Sequence, residues 1–237
     1  MAISKLDLPV GIVARSLNDA QQLAETLAGD VAAALRAAIA SQGRATLVVS
    51  GGRSPIAFFE QLARHELPWA QVLISLADER WVPVNHATSN EGLVRRHLLR
   101  GPAAEARLLG LYQVAGSLEQ AALKAEQALA ELPPIDVLVL GMGDDGHTAS
   151  LFPGSPNLGL ALQADCPRRC LPMQAPSEPR QRLSLTLPLL AAARRPLLAI
   201  QGSAKLATLG AALSHADASS MPIRAFLRSP LEIYWCP

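Results

Sequence analysis

The chain has 237 residues, with 21 Lys and Arg against 20 Asp and Glu, 50% hydrophobic residues and 4% aromatic ones. That length and hydrophobic fraction support a buried core and exclude a disordered chain. A formal charge of +1 excludes the basic bias of nucleic-acid and anionic-membrane binders. The N-terminal stretch carries Lys5 and Asp7 and lacks an unbroken apolar core, so no secretory signal is expected. Residues 146 to 164, free of Asp, Glu, Lys and Arg, hold His147, Pro153, Gly154, Pro156, Asn157 and Gly159, which a membrane helix does not tolerate together. Cys166, Cys170 and Cys236 make no C-x-x-C pair, so neither a disulfide framework nor a four-cysteine zinc site is indicated. The expectation is one soluble domain over residues 1–237 in the reducing cytoplasm, with no nucleic-acid, membrane or obligate protein partner.

Apolar runs of strand length alternate with longer stretches of helical period, the pattern of a parallel sheet with crossover helices, which makes the fold class α/β. A strand is expected at Val10 to Ala14. A helix then starts at an Asn18 cap and carries Leu23, Leu27, Val31, Leu35 and Ile39 on one face until Gly43 ends it. The strand Thr46 to Val49 runs into Ser50-Gly51-Gly52-Arg53-Ser54-Pro55, where Ser54 reads as an N-cap and Pro55 as the first helical residue. The strand Val72 to Ala77 ends on Asp78-Glu79-Arg80-Trp81, and Ser89 opens a helix through Leu99. Ser117 and Gln120 form a capping box for a helix to Glu131. The nearly continuous apolar run Ile135 to Leu140 suits a central strand covered on both faces. Residues 152 to 181, rich in Pro, Gly and Arg, read as a long surface excursion. A strand at Arg182 to Thr186, a strand at Leu197 to Ile200, a helix to about Leu213 capped by Ser203, and a last strand at Leu231 to Trp235 complete the chain.

Four apolar strands therefore end in GGRSP, DERW, GMGDDGH and GSAK. In an open α/β sheet, ligands bind beyond the carboxyl ends of the strands, so these four segments should converge on one edge. Gly51 and Gly52 let the backbone approach a ligand, and the amides that follow, with Arg53 and Ser54, suit a phosphate. Lys205 sits in a first helical turn, where the dipole disfavours a cation unless an anion compensates. Gly141 to Gly146 matches G-x-G-x-x-G, but Pro153 and Pro156 deny it the helix that a dinucleotide site needs. Asp144, Asp145 and His147 could bind a metal, yet His65, His86, His97 and His215 lie at no ligand-like spacing. Acid/base work by His147 beside Asp145 is the remaining reading, with a loop histidine bonded to its own turn as the alternative. Local salt bridging is the alternative for Asp78-Glu79-Arg80.

SGGRSP, DERWVP, SNEGLVRRHLL, GMGDDGHTASLFPGSP, RLSLTLP and GSAKLATL, in this order, resemble the 6-phosphogluconolactonase family, relatives of the glucosamine-6-phosphate deaminases. Deaminases read DEY where this chain has Asp78-Glu79-Arg80, and F-N-E-P where it has Phe152-Pro153-Gly154. The resemblance implies an open, mostly parallel sheet with helices on both faces. It also implies hydrolysis of 6-phospho-D-glucono-1,5-lactone to 6-phosphogluconate without cofactor or metal. Combined with the residue reading, it makes His147 the general base oriented by Asp145, with Arg80 offsetting the developing oxyanion. Gly51, Gly52, Arg53, Ser54 and Lys205 would hold the 6-phosphate, with Arg182 a further contact. A deaminase-like activity and a non-catalytic sugar-phosphate module are the competing readings.

Overall fold

The computed structural model describes residues 3–237. Strand β1 is Val13–Ser16, starting three residues after the expected Val10. Helix α1, Ala20–Gln42, is capped by Asp19 and not by Asn18. The Asp19 carboxylate accepts from the Gln22 amide at 2.8 Å, and Gln22 Oε1 takes the Asn18 amide at 2.7 Å. Asp brings a negative charge to the positive end of the helix, which the neutral Asn18 does not. Leu23, Leu27, Val31, Leu35 and Ile39 are all buried, and Gly43 closes the helix in the left-handed region at φ 74°.

The large sheet takes its strands from the apolar runs: β2 (Ala45–Val49) and β3 (Val72–Leu76). Helix α2, Ile56–Leu62, lies between them. Next come β4 (Asp78–Arg80), α3 (Asn90–His97), β5 (Arg107–Leu109), α4 (Leu118–Ala128) and β6 (Val137–Leu140). The chain continues with α5 (Leu158–Ala161), β7 (Cys170–Gln174), β8 (Gln181–Leu185) and α6 (Leu187–Ala191). It ends with β9 (Arg195–Gln201), α7 (Gly202–Leu213) and β10 (Glu232–Cys236). Ser89 and Ser117 cap α3 and α4 as expected. Two expected caps are absent. Ser54 and Pro55 both precede the helical residues of α2, and α7 begins at Gly202 with no side-chain cap, leaving Ser203 exposed inside its first turn.

Among the described residues, seven strands form a wholly parallel sheet in the order β1-β10-β9-β6-β2-β3-β5. Its middle strand is β6, buried along its whole length. From β2 the chain crosses to β3 on one side, whereas from β6 it crosses to β9 on the other. Right-handed crossovers then put α1 and α2 on one face and α4 and α7 on the opposite one. The crevice between the ends of β2 and β6 is the switch point where such sheets bind ligands.

A second, three-stranded antiparallel sheet, β4-β8-β7, corrects the surface-excursion reading of residues 152 to 181. Phe152, Leu158, Cys170, Leu171 and Met173 from that stretch are buried. The chain passes from the large sheet into the small one at Ala77, whose amide bonds to Val49 O and whose carbonyl takes the Leu185 amide, both at 2.9 Å. Asp78, Glu79 and Arg80 are thus strand residues swung over the carboxyl edge of the large sheet, not a free loop. No helix among the described residues is long and apolar enough to cross a membrane.

Candidate active site

A cavity of about 240 Å³ opens at the switch point. The segments after β2, β6 and β9 line it, together with Asp78 and Arg80 from β4 and Arg182 from β8. Every expected site residue except Asp145 lines this cavity, and Asp145 reaches it through His147. The convergence expected from the four strand ends is therefore present, with the small sheet as an additional wall. The glycines after β6 do not open a helix: the chain turns at Gly146 and makes an isolated bridge between Thr148 and Leu151, and α5 starts only at Leu158.

The turn after β6 is built to present one histidine. Gly146 takes φ 76°, its amide bonds to Gly143 O at 3.2 Å, and the Gly143 amide bonds to His147 O at 2.8 Å. Asp145 Oδ1 accepts the His147 amide at 3.0 Å and lies 2.5 Å from the ring Nδ1. Burial works to raise the Asp145 carboxyl, but the hydrogen bonds from the His147 ring and amide outweigh it and hold it below the ordinary aspartate range. An ionised carboxylate only accepts, so Nδ1 carries the proton and Nε2 keeps the lone pair. Phe152 packs on the ring with centroids 4.3 Å apart.

Gly143 matters for a steric reason. A Cβ there would fall 2.0 Å from His147 Nδ1 and 2.6 Å from Asp145 Oδ1. Gly143→Ala is expected to displace the pair and lower kcat by roughly 10²-fold, the scale of an ångström misplacement. KM for a phosphorylated substrate should hardly change, and steady-state kinetics distinguish the two effects.

In the turn after β2, Gly52 takes φ 100°, a region open to glycine at little cost. A Cβ on Gly51 would collide with Asn90, 1.9 Å from its Oδ1. Arg53 and Ser54 are exposed at the rim. Lys205 reaches the cavity from α7, its Nζ 2.7 Å from Asp144 Oδ1. That ion pair was not expected from the sequence.

Glu79, which sequence reasoning left ambiguous, does not bridge to a neighbouring charge. It is fully buried, and its carboxylate accepts the amides of Arg80, Asn90 and Glu91, each at 2.7 Å, and the Ser89 hydroxyl at 3.1 Å. Burial pushes the Glu79 carboxyl up to about 7, against the pull of these amides. Its place at the start of α3 anchors the strand that carries Arg80, whose Nη1 donates to Thr88 O. Asn90 Nδ2 donates to Asp78 O at 2.8 Å. Asp78 Oδ2 accepts the Ser150 hydroxyl at 2.6 Å, and Asp78 is the carboxylate that lines the cavity. Arg80 and Arg182 are cross-strand partners. Burial and the neighbouring Arg80 push the Arg182 guanidinium below its ordinary value, and two like charges so placed favour an anion between them. Arg182 also lies over the Phe152 ring, 5.7 Å from its centroid. Ser50 Oγ, Arg80 Nε and Asn90 Oδ1 are buried atoms without a protein partner, all on residues of this wall.

A family model described as glucosamine-6-phosphate isomerases/6-phosphogluconolactonase matches residues 18–235. The chain is 63% identical over 237 residues to a 6-phosphogluconolactonase of Pseudomonas putida, covering 100% of this chain and 98% of that one. It is 62% identical to a 6-phosphogluconolactonase of Pseudomonas aeruginosa, over 100% of both. Its fold is similar to the crystal structure of a 6-phosphogluconolactonase from Shewanella baltica OS155, with a TM-score of 0.93 and 37% identity over 97% of this chain and 100% of that one. The chain belongs to the glucosamine-6-phosphate isomerase/6-phosphogluconolactonase family.

Proposed function

We propose that the whole chain acts as one sugar-phosphate lactonase domain that hydrolyses 6-phospho-D-glucono-1,5-lactone to 6-phospho-D-gluconate, the lactone step of the oxidative pentose phosphate pathway. The observation that carries this reading is a His147–Asp145 pair whose histidine lines one cavity together with the glycine-rich turn after β2 and Lys205. Full-length similarity to proteins named for the same reaction supports it. His147 Nε2 takes a proton from water as the water oxygen attacks the lactone carbonyl carbon. Arg80 offsets the charge that develops on the carbonyl oxygen. The tetrahedral intermediate then collapses, the bond from carbonyl carbon to ring oxygen breaks, and the ring oxygen takes the proton back from His147 to become a hydroxyl.

The phosphate is held by the amides of the Gly51 to Ser54 turn, by Arg53, Ser54 and Lys205, and by Arg182. Binding energy from this remote group orients the ring against His147. Asp78 offers a sugar hydroxyl an acceptor. The reaction needs water, a base and cationic side chains, and calls for no cofactor, metal or protein partner. A cytoplasmic setting fits three free, buried cysteines. The test runs two assays on the same protein. Lactone opening should release one proton per turnover, and glucosamine 6-phosphate should yield no ammonia above the blank. Ammonia release without lactone opening would assign the site to the deaminases.

A further inference from the structure

Lys205 is assigned above to the substrate phosphate, and the inference here rests on that reading. Lys205 already carries a carboxylate: Asp144 Oδ1 lies 2.7 Å from its Nζ. Thr208 Oγ1, one turn further along α7, has its proton shared between Ala204 O at 3.1 Å and Asp144 O at 3.3 Å, which keeps the glycine turn against this helix. Asp145 is committed to His147, so Asp144 has no part in orienting the imidazole. Its side chain is 80% exposed, whereas that of Lys205 is 26% exposed. Water is therefore an easy alternative partner for the carboxylate and a poorer one for the ammonium. The first turn of α7 also favours an anion and disfavours an uncompensated cation, and Asp144 supplies that anion from within the chain.

We propose that Asp144 sets the affinity of the phosphate subsite, as an internal carboxylate that competes with the substrate's phosphate for Lys205. A phosphate that bonds to Lys205 comes within a few ångströms of Asp144, and the two anions repel. The carboxylate then swings out to solvent, which its exposure permits. Substrate and product carry the same phosphate, so both are held less tightly than the cations alone would hold them, and the product leaves faster. An exposed ion pair is weak, so the effect is about two- to fivefold.

Asp144→Asn keeps the shape and removes the charge. Titration with inorganic phosphate, followed by calorimetry, should show a Kd about two- to fivefold lower than in the unsubstituted protein, and KM for the phosphorylated lactone should fall by a similar factor. The difference should shrink in high salt, and it should disappear in a Lys205→Ala background, where the two groups can no longer compete. Phosphate binding that is unchanged or weaker in Asp144→Asn would overturn the proposal and make Asp144 a support that holds Lys205 in place. The phosphate titration does not depend on turnover. Tighter binding in a protein that fails to open the lactone would keep this inference and remove the lactonase reading.

Discussion

Replacing His147 by alanine lowers kcat about 10²- to 10⁴-fold, the usual contribution of a general base, while KM and folding change little. The ring is part-exposed and lies outside the hydrophobic core, so an unfolded variant is not expected. The pH profile gives an independent reading. Burial works to raise the Asp145 carboxyl, but the bonds from the His147 ring and amide hold it below the ordinary value of 3.8. A depressed native pKa means that the native state binds this proton less readily than the unfolded chain. The pair's contribution to stability is therefore complete above the ordinary aspartate value and is lost as pH falls through the lower native one. Melting temperature measured across one acid buffer series checks this, and the acid-side loss should be smaller in His147→Ala, where the ring that holds the carboxyl down is gone. A folded His147→Ala protein with undiminished turnover would remove the general base from the mechanism.

Lys205→Ala raises KM for the phosphorylated lactone roughly 10- to 100-fold, the worth of a hydrogen bond to a charged group, and leaves kcat within a few-fold. Arg53→Ala moves KM in the same direction by less, since Arg53 lies exposed at the rim. Initial rates over a range of substrate concentrations separate the two parameters. A fall in kcat at constant KM would place Lys205 at the reacting carbonyl and not at the phosphate.

The parts of this site that were legible in the sequence share a cause. β2, β3, β6 and β9 are short apolar runs that stop abruptly at polar residues, and parallel strands in one sheet bring their carboxyl ends to one edge. Their alignment follows from fold class alone. His147, Arg53 and Lys205 could therefore be placed in one cavity before any pairing was known. The small antiparallel sheet was not legible. β4 is the three charged residues Asp78–Arg80, with no hydrophobic alternation to mark a strand, and β7 contains Pro172. Both exist because β8 pairs with them, and pairing between distant segments leaves little local trace. Asp78 and Glu79 stayed ambiguous, and Asn90 was missed, for the same reason. Glu79 meets Ser89, Asn90 meets the Asp78 carbonyl and Asp78 meets Ser150 only once β4 has swung over the sheet edge.

The cap errors have a different origin. Asn18 and Asp19 are adjacent residues able to cap, and composition does not choose between them, whereas the charge preference of a helix start does. At Ser54 the glycine turn uses more residues than a simple strand-to-helix junction. The left-handed Gly52 holds the chain in a turn, and α2 begins at Ile56. The same delay leaves the Gly51 to Ser54 turn lining the cavity, so the misplaced cap and the proposed phosphate turn are one feature of the backbone.

The central claim is that a phosphate anchor and a histidine base act on one substrate in one cavity. The most direct measurement is kcat/KM for freshly generated 6-phosphogluconolactone and for unphosphorylated gluconolactone, with spontaneous opening subtracted at each pH. A strong preference for the phosphorylated lactone is expected, and it should collapse in Lys205→Ala but persist at a lower overall rate in His147→Ala. Equal turnover of the two lactones by the unsubstituted protein would contradict the account.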